Sequence, residues 1–246
     1  MSHHIQEAAS SESFAYSDLS LQNDLQKQYD DIRRSKTSVL AVESAIGDGS
    51  ISLLLSGDSV PITKAGGTVA RVEGLLAGID YVLKEASVES EVIDKIAVSV
   101  GPGSFTGLRI GISTALGLST ALGKPLIAVP LFDAIVYSIR PATRILIAVP
   151  IGRSDICIQL FEGLNAIDDP RMISEPEAAD FIAGTMAEQL ACHGGMVERL
   201  GDVSERSGIE VLDLGSNLAD YIARYVEGGG RSGALDPIYV QNPRFV

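Results

Sequence analysis

Histidine, cysteine and tryptophan are scarce in this chain, and their scarcity argues against several kinds of site. The 246 residues include three His, two Cys and no Trp. A zinc or iron site needs clustered His, Cys, Asp or Glu, yet His193 is the only histidine beyond the first residues. A Ser or Cys nucleophile needs a base within hydrogen-bond reach. The sequence therefore predicts no catalytic residue and no metal ligand in this chain.

The two cysteines, Cys157 and Cys192, match neither a redox motif nor a zinc motif, because no C-x-x-C pattern contains them. Two isolated cysteines in a chain of this length are typical of reduced core residues in a cytosolic protein. A single disulfide between them is the alternative. We therefore expect a cytoplasmic protein.

Long apolar runs and basic clusters are also missing. No stretch reaches the roughly 18 uncharged apolar residues of a membrane helix, and the first residues lack the pattern of a signal peptide. The chain carries 19 Lys and Arg against 32 Asp and Glu, a formal net charge of −13. Wide contact with a phosphate backbone needs clustered cations. We therefore expect no membrane contact, and contact with nucleic acid only through a partner.

Apolar residues are abundant but few are aromatic: hydrophobic residues make up 46% of the chain, and aromatic residues make up only 5%. A core of Val, Ile, Leu and Ala suits α/β layering. A strand–turn–strand pattern occurs at residues 38–55 and again at 144–161, which indicates a weak internal duplication. We predict two α/β subdomains, residues 37–140 and 141–246.

Residues 1–36 differ from the rest because they are polar and rich in Ser, Gln and Asp. Such a composition favours an extension that is largely disordered. The alternative is a short docked helix whose apolar side, at Leu21, Leu25, Tyr29 and Ile32, follows helical spacing.

Two helices follow from the apolar periodicity of the first half. One is predicted over 67–85, with a core stripe that includes Val72, Leu76 and Ile79, and the other over about 105–122, ended by Gly123. In the second half, the pattern predicts a strand near 196–200.

The turn Gly101-Pro102-Gly103-Ser104 lies between a strand and the second helix. Backbone N–H groups at such a position can bind an anion, so Gly101, Gly103 and Ser104 form a candidate loop for weak nucleotide or anion binding. Neither of the two common glycine-rich phosphate motifs is complete here. The alternative is a tight turn that glycine permits beside a packed helix.

Small residues recur every four positions in both helices and so line one face of each. Small side chains there let another helix approach closely, whereas glycine inside a helix costs about 0.5–1 kcal/mol relative to alanine. We predict a partner interface on these faces, with Phe105 and Arg109 beside them; the alternative is packing on the chain's own sheet. The predicted small residues are Ala70, Gly74, Gly78, Gly107, Gly111, Ala115 and Ser119.

The block GPGSFTGLRIG at Gly101–Gly111, which follows a strand, resembles the TsaB/YeaZ family, whose members support the TsaD protein in making threonylcarbamoyladenosine on tRNA. The resemblance extends to Leu122–Val129, Leu200–Asp202 and Pro237–Tyr239. It implies the actin-like/sugar-kinase (ASKHA) fold, with two α/β subdomains built on mixed sheets.

Three departures from the usual family sequence concern the cleft. Members usually begin their first strand with an Asp-Thr-Ser-like sequence, where this chain has Glu43-Ser44-Ala45, and the segment 61–68 lacks a histidine that is common there. The second hairpin turn reads Val149-Pro150-Ile151-Gly152-Arg153 rather than an Asp-Ala-Arg-like sequence. Glu43 is interpreted either as a remnant of a metal-directed carboxylate or as a satisfied acid at a strand end.

The resemblance also implies partners. It predicts that the two helices face a TsaD-like protein, or a second copy of this chain, and that a third, TsaE-like ATPase joins the complex. ATP and metal are implied for those partners, and no cofactor is assigned to this chain.

We therefore expect a non-catalytic subunit that supports threonylcarbamoyl transfer to adenosine of tRNA. The alternatives are a stand-alone actin-like ATPase or small-molecule kinase, and a self-associating structural protein.

Overall fold

Short apolar segments form two mixed β-sheets, one in each half of the chain. The structure, a computed structural model, describes residues 37–58, 60–67, 69–200 and 207–240. The polar extension predicted over 1–36 and the motif residues Gly201-Asp202 lie outside the described residues. The described residues from Ser38 onward form one compact unit.

The first half contains five strands and three helices within the described residues. In chain order these elements are β1 (Val39–Glu43), β2 (Ser50–Leu54), β3 (Ile62–Ala65), α1 (Val72–Glu85), β4 (Lys95–Gly101), α2 (Phe105–Leu122), β5 (Leu126–Pro130) and α3 (Leu131–Ile139).

The second half repeats the hairpin and the alternation of strands with helices. Its described elements are β6 (Arg144–Ile151), β7 (Asp155–Glu162), β8 (Asn165–Ala166), β9 (Arg171–Ser174), α4 (Glu175–Ala183), β10 (Gln189–Cys192), α5 (Gly194–Val197), β11 (Glu210–Asp213) and α6 (Leu218–Glu227).

Strand order confirms that the two halves share one topology. The first sheet runs β3-β2-β1-β4-β5, with β1 antiparallel to β2 and parallel to β4. In the second sheet β6 is antiparallel to β7 and parallel to β10, which pairs with β11, while β9 flanks β7 as β3 flanks β2. The predicted class, an α/β chain whose two halves are each built on a mixed sheet, is therefore confirmed.

Local signals at both ends explain why α2 has its predicted limits. The Ser104 side chain accepts a hydrogen bond from the Gly107 N–H and so caps the first turn. Gly123 ends the helix in the left-handed conformation, with φ of 64°.

Two predictions about elements are wrong. Helix α1 begins at Val72 rather than near residue 67, and its buried apolar residues are Leu75, Ile79 and Val82, whereas Val72 and Leu76 are exposed. Residues 196–200 form no strand: the strand of that region is β10, which precedes the Gly194–Val197 turn of helix.

The apolar side chains form three clusters. One lies between the first sheet and the helices α1 and α2, and another lies between the second sheet and α4. The third joins both halves, because Val39 and Ala41 of β1 share it with Phe132 of α3, Phe161 of β7 and Ile222 of α6. In the described part of the chain, no helix has the length and apolar character needed to cross a membrane.

Candidate functional site: the outer face of two helices

The glycine turn before α2 packs against its own chain. Gly101 has a φ of +113°, and a Cβ added there would lie 2.8 Å from the carbonyl oxygen of Ile238. A Cβ on Gly103 would overlap the methyl group of Ala45. The Ser104 N–H donates to the Ala45 carbonyl at 2.9 Å, and the Gly101 N–H donates to the Ser99 hydroxyl at 3.2 Å. Because these two donors are used internally, the contacts favour the tight-turn interpretation of the loop.

Three of the predicted small residues of α2 point into the molecule, which favours the alternative that they pack on the chain's own sheet. Gly107, Gly111 and Ala115 are buried. A Cβ added at Gly107 would overlap the Ser44 carbonyl oxygen, and one at Gly111 would overlap the Ser44 hydroxyl. That hydroxyl donates to the Gly107 carbonyl at 2.8 Å. The small side chains thus let α2 approach the end of β1, so this stripe packs on the chain's own sheet.

The remaining small residues are also engaged within the chain. Gly74 and Gly78 are buried on α1, and a Cβ at Gly78 would overlap the Ile51 side chain of β2. The Ala70 N–H donates to the Asp48 carbonyl at 2.8 Å. The Ser119 hydroxyl donates to the Lys124 carbonyl at 2.6 Å, so it closes the end of α2. These contacts favour packing of the small residues within the chain over a partner interface.

The opposite sides of the two helices carry exposed apolar residues. Leu76 is 53% exposed, Phe105 is 52% exposed, and Val72 and Leu116 are exposed to a similar degree. Within α2, residues 105, 109 and 116 follow helical spacing and so lie on one side. Both helices pack on the same side of the first sheet. We call this surface, made of Val72, Leu76, Phe105, Arg109 and Leu116, the outer helix face.

Three side chains at the start of α2 form a stack. The Arg109 guanidinium lies 3.7 Å from the centre of the Phe105 ring. The Phe105 and Tyr239 ring centres are 4.9 Å apart, with planes inclined by 33°. The Arg109 Nε donates to the Tyr239 hydroxyl at 3.3 Å. The structure thus brings together two predicted interface residues and adds Tyr239, which was not predicted to belong to the site.

The residues Val72, Leu76 and Leu116 were also missed as site residues, although α1 carries a usable signal. Leu75, Ile79 and Val82 already provide a complete buried side of α1. The additional apolar residues Val72 and Leu76 therefore give this helix a second apolar side, which is the pattern of a helix that contacts two surfaces.

Glu43 is held by the turn that follows it. Its Oε1 accepts hydrogen bonds from the N–H groups of Ala45 at 2.7 Å and Ile46 at 3.0 Å, and the residue is 1% exposed. Burial raises the pKa of Glu43 to about 7, although the two hydrogen bonds oppose this shift. These contacts favour the interpretation of Glu43 as a satisfied acid at a strand end.

His193 and the two cysteines are likewise engaged or shielded. The His193 Nδ1 accepts a hydrogen bond from the Gly195 N–H at 3.4 Å, and its Cε1 lies 3.6 Å from where a Gly47 Cβ would be. Burial lowers the pKa of His193, and the Asp213 carboxylate opposes this. Both thiols are buried, and burial raises the pKa of Cys157 to about 12 and that of Cys192 to about 11. These thiols are therefore protonated at neutral pH.

Clusters of three or more His, Cys, Asp or Glu side chains that could hold a metal ion are absent from the described residues. The candidate functional site among the described residues is the outer helix face, where exposed apolar side chains lie beside Arg109.

Comparison with known proteins identifies a family by sequence. The family model described as "TsaD: tRNA N6-adenosine threonylcarbamoyltransferase" matches residues 69–191, half of the 246-residue chain. A tRNA N6-adenosine threonylcarbamoyltransferase of Staphylococcus aureus (strain Newman) is 31% identical over 191 residues, which cover 68% of this chain and 55% of that protein. The corresponding protein of Staphylococcus saprophyticus is 29% identical over 189 residues, which cover 64% and 55%. The chain thus spans about half the length of these relatives.

Comparison with solved structures identifies the fold. YeaZ from Pseudomonas aeruginosa matches with a TM-score of 0.57 at 21% identity, over 83% of this chain and all of that chain. A second structure, described as similar to peptidase YEAZ from the same organism, matches with a TM-score of 0.58. At this level of identity the likeness establishes the fold, which is the class predicted from the sequence.

Proposed function

The chain belongs to the TsaD family, and from this premise we propose that it is a TsaB/YeaZ-like supporting subunit in threonylcarbamoyl transfer to tRNA. In this proposal a TsaD-like enzyme transfers the threonylcarbamoyl group from its adenylate to an adenosine of tRNA. This chain binds that enzyme through the outer helix face. It works in the cytoplasm and contacts tRNA only through the complex.

The outer helix face is the observation that carries the proposal. Its leucine, valine and phenylalanine side chains are exposed on two neighbouring helices, whereas other apolar side chains of the same helices pack on the first sheet. Exposed apolar side chains grouped on one surface are typical of a protein-binding site. Phenylalanine and arginine, the residue types of Phe105 and Arg109, are both enriched at protein interfaces.

The reactive side chains of the described residues support a non-catalytic role. Glu43 is bonded to its own turn, His193 accepts a backbone N–H, and the thiols of Cys157 and Cys192 are protonated at neutral pH. We therefore assign metal, ATP and the transfer chemistry to partner proteins, which include a third, TsaE-like ATPase.

Reconstitution tests this function. Purified TsaD-like enzyme from the same organism is supplied with threonylcarbamoyl-adenylate and tRNA, with and without this chain, and the modified adenosine is measured. We expect transfer to depend on this chain and the two proteins to elute as one complex. Transfer at the same rate without the chain, together with separate elution, would contradict the proposal.

A nucleotide titration separates the proposal from a stand-alone enzyme. The isolated chain is titrated with ATP and magnesium, and released phosphate is measured. We expect no turnover. Micromolar affinity accompanied by turnover would favour the actin-like ATPase or kinase, and a stable homodimer that excludes the TsaD-like enzyme would favour the self-associating protein.

A further inference from the structure

We infer that Phe105 and Tyr239 hold the Arg109 guanidinium in place so that it binds one carboxylate on the partner enzyme. This inference rests on the proposed function and adds to it the chemistry of one contact. Arg109 is the residue that binds the carboxylate, and Tyr239 is a positioning residue that acts through it.

The position of Tyr239 is fixed by the backbone around it. The Ile238 N–H donates to the Val100 carbonyl of β4 at 2.7 Å, and the Gly233 N–H donates to the Ala128 carbonyl of β5 at 2.8 Å. The segment from Gly233 to Tyr239 is therefore tied to the first sheet at both ends. Tyr239 consequently meets the start of α2 at a defined place, although 130 residues separate it from Arg109 in the sequence.

The Arg109 guanidinium is held by two contacts within the described residues, but its charge is not paired there. Its central carbon lies over the Phe105 ring, and its Nε donates to the Tyr239 hydroxyl. No carboxylate of the described residues forms an ion pair with Arg109, and its terminal nitrogens have no acceptor within that part of the chain. Because the Arg109 side chain is already held in one conformation, binding orders it at a smaller cost in conformational entropy.

A single carboxylate fits this arrangement better than a phosphate backbone. Arg109 is the one cationic side chain between Phe105 and Leu122, and its neighbours on the outer helix face are apolar. Nucleic-acid binding needs several cations together, whereas a lone guanidinium in an apolar surround matches one carboxylate through two parallel hydrogen bonds. The chain's net charge of −13 also disfavours attraction of a polyanion.

Affinity measurements on the two full-length proteins test the inference. The dissociation constant with the TsaD-like enzyme is measured for wild type, Arg109→Gln, Arg109→Lys and the charge-matched control Arg153→Gln, an exposed arginine of the second hairpin turn. We expect Arg109→Gln to weaken binding at least tenfold. Arg109→Lys should not restore it, because lysine lacks the planar fork. Arg153→Gln should bind like wild type.

The role of Tyr239 needs a double-mutant measurement. Tyr239→Ala should weaken binding several-fold in the wild-type background and have no further effect in the Arg109→Gln background, because it acts through Arg109. An equal loss in both backgrounds would show that Tyr239 contributes on its own and would overturn its positioning role. Thermal unfolding of each variant checks that the exposed substitutions leave the fold intact.

The outcomes separate this inference from the proposed function. If wild type binds the enzyme and Arg109→Gln binds equally well, the inference is overturned and the proposed function stands. If wild type itself fails to bind, both are overturned. Loss of tRNA binding by the complex, or of self-association, with unchanged affinity for the enzyme would assign Arg109 to a phosphate or to a second copy and would overturn the inference.

Discussion

Glu43 shows how one buried carboxyl makes stability depend on pH. Its pKa of about 7 in the folded chain exceeds the ordinary value of 4.5, because burial disfavours the charged form. The folded state therefore binds more protons than the unfolded state between these values. The free energy of unfolding is then highest at low pH within this window and falls as pH rises from about 4.5 to about 7, by on the order of 3 kcal/mol.

Replacing Glu43 with Gln should remove this dependence, since the amide oxygen can still accept the two backbone N–H groups. We expect the unfolding free energy of Glu43→Gln to exceed that of wild type at pH 8 and to approach it at pH 5. Urea unfolding at both values provides the measurement, with the exposed Glu188→Gln as a control. Identical pH profiles for wild type and Glu43→Gln would show that Glu43 does not cause the effect.

Gly111 and Gly117 of α2 differ in the space that surrounds them. A Cβ at Gly111 would overlap the Ser44 hydroxyl, whereas one at Gly117 would meet nothing within 4 Å. Gly111→Ala should therefore destabilise the isolated chain by about 1–3 kcal/mol through overpacking. Gly117→Ala should stabilise it by about 0.5–1 kcal/mol through helix propensity. Urea unfolding compares the two, and equal effects would contradict the inward orientation of Gly111.

At the scale of elements, a single hydroxyl links helix α6 to the first sheet. The Ser50 hydroxyl of β2 accepts the Ala219 N–H of the first turn of α6 at 2.9 Å. Two residues further along the same side of β2, the Ser52 hydroxyl is buried without a hydrogen-bond partner among the described residues.

We expect replacement of these two serines by alanine to have different effects on the unfolding free energy. Ser50→Ala leaves a buried N–H without an acceptor and should lower the unfolding free energy by about 1–3 kcal/mol. Ser52→Ala removes a hydroxyl that has no partner and should be neutral or slightly stabilising. Thermal unfolding of both variants measures the difference. A loss for Ser52→Ala as large as that for Ser50→Ala would contradict the assigned hydrogen bond.

Elements were predictable from the sequence where their signals are local. The limits of α2 follow from the Ser104 cap and from Gly123, both of which act within one turn. The buried side of α1 was not predictable, because Leu75 and Leu76 are equally apolar and only the position of the sheet decides between them. The spacing of Gly107 and Gly111 correctly indicates a close approach, but it cannot tell a sheet of the same chain from a partner.

At the scale of the whole molecule, the repeated hairpin pattern predicted the repeated topology, and the resemblance to TsaB/YeaZ proteins predicted the fold. The position of Tyr239 beside Arg109 could not be predicted from the sequence. It depends on backbone hydrogen bonds at Gly233 and Ile238 that bring the chain back to the first sheet, and such bonds produce no periodic pattern of side chains.

The shared core supports the view that the two halves act as one body that presents the outer helix face. Phe132 of the first half and Ile222 of the second half belong to the same apolar cluster. Because exposed residues lie outside this core, a charge placed on one of them in either half should leave folding unchanged and alter only what binds there.

Affinity for the TsaD-like enzyme after a charge substitution is the most direct test of the central claim. Leu76 lies on the outer helix face and is 53% exposed, while Met186 lies in the second half and is 71% exposed. Calorimetric titration should show that Leu76→Glu weakens binding at least tenfold, about 1.4 kcal/mol, and that Met186→Glu leaves the affinity unchanged. Wild-type affinity for Leu76→Glu, or an equal loss for both variants, would contradict docking through this face.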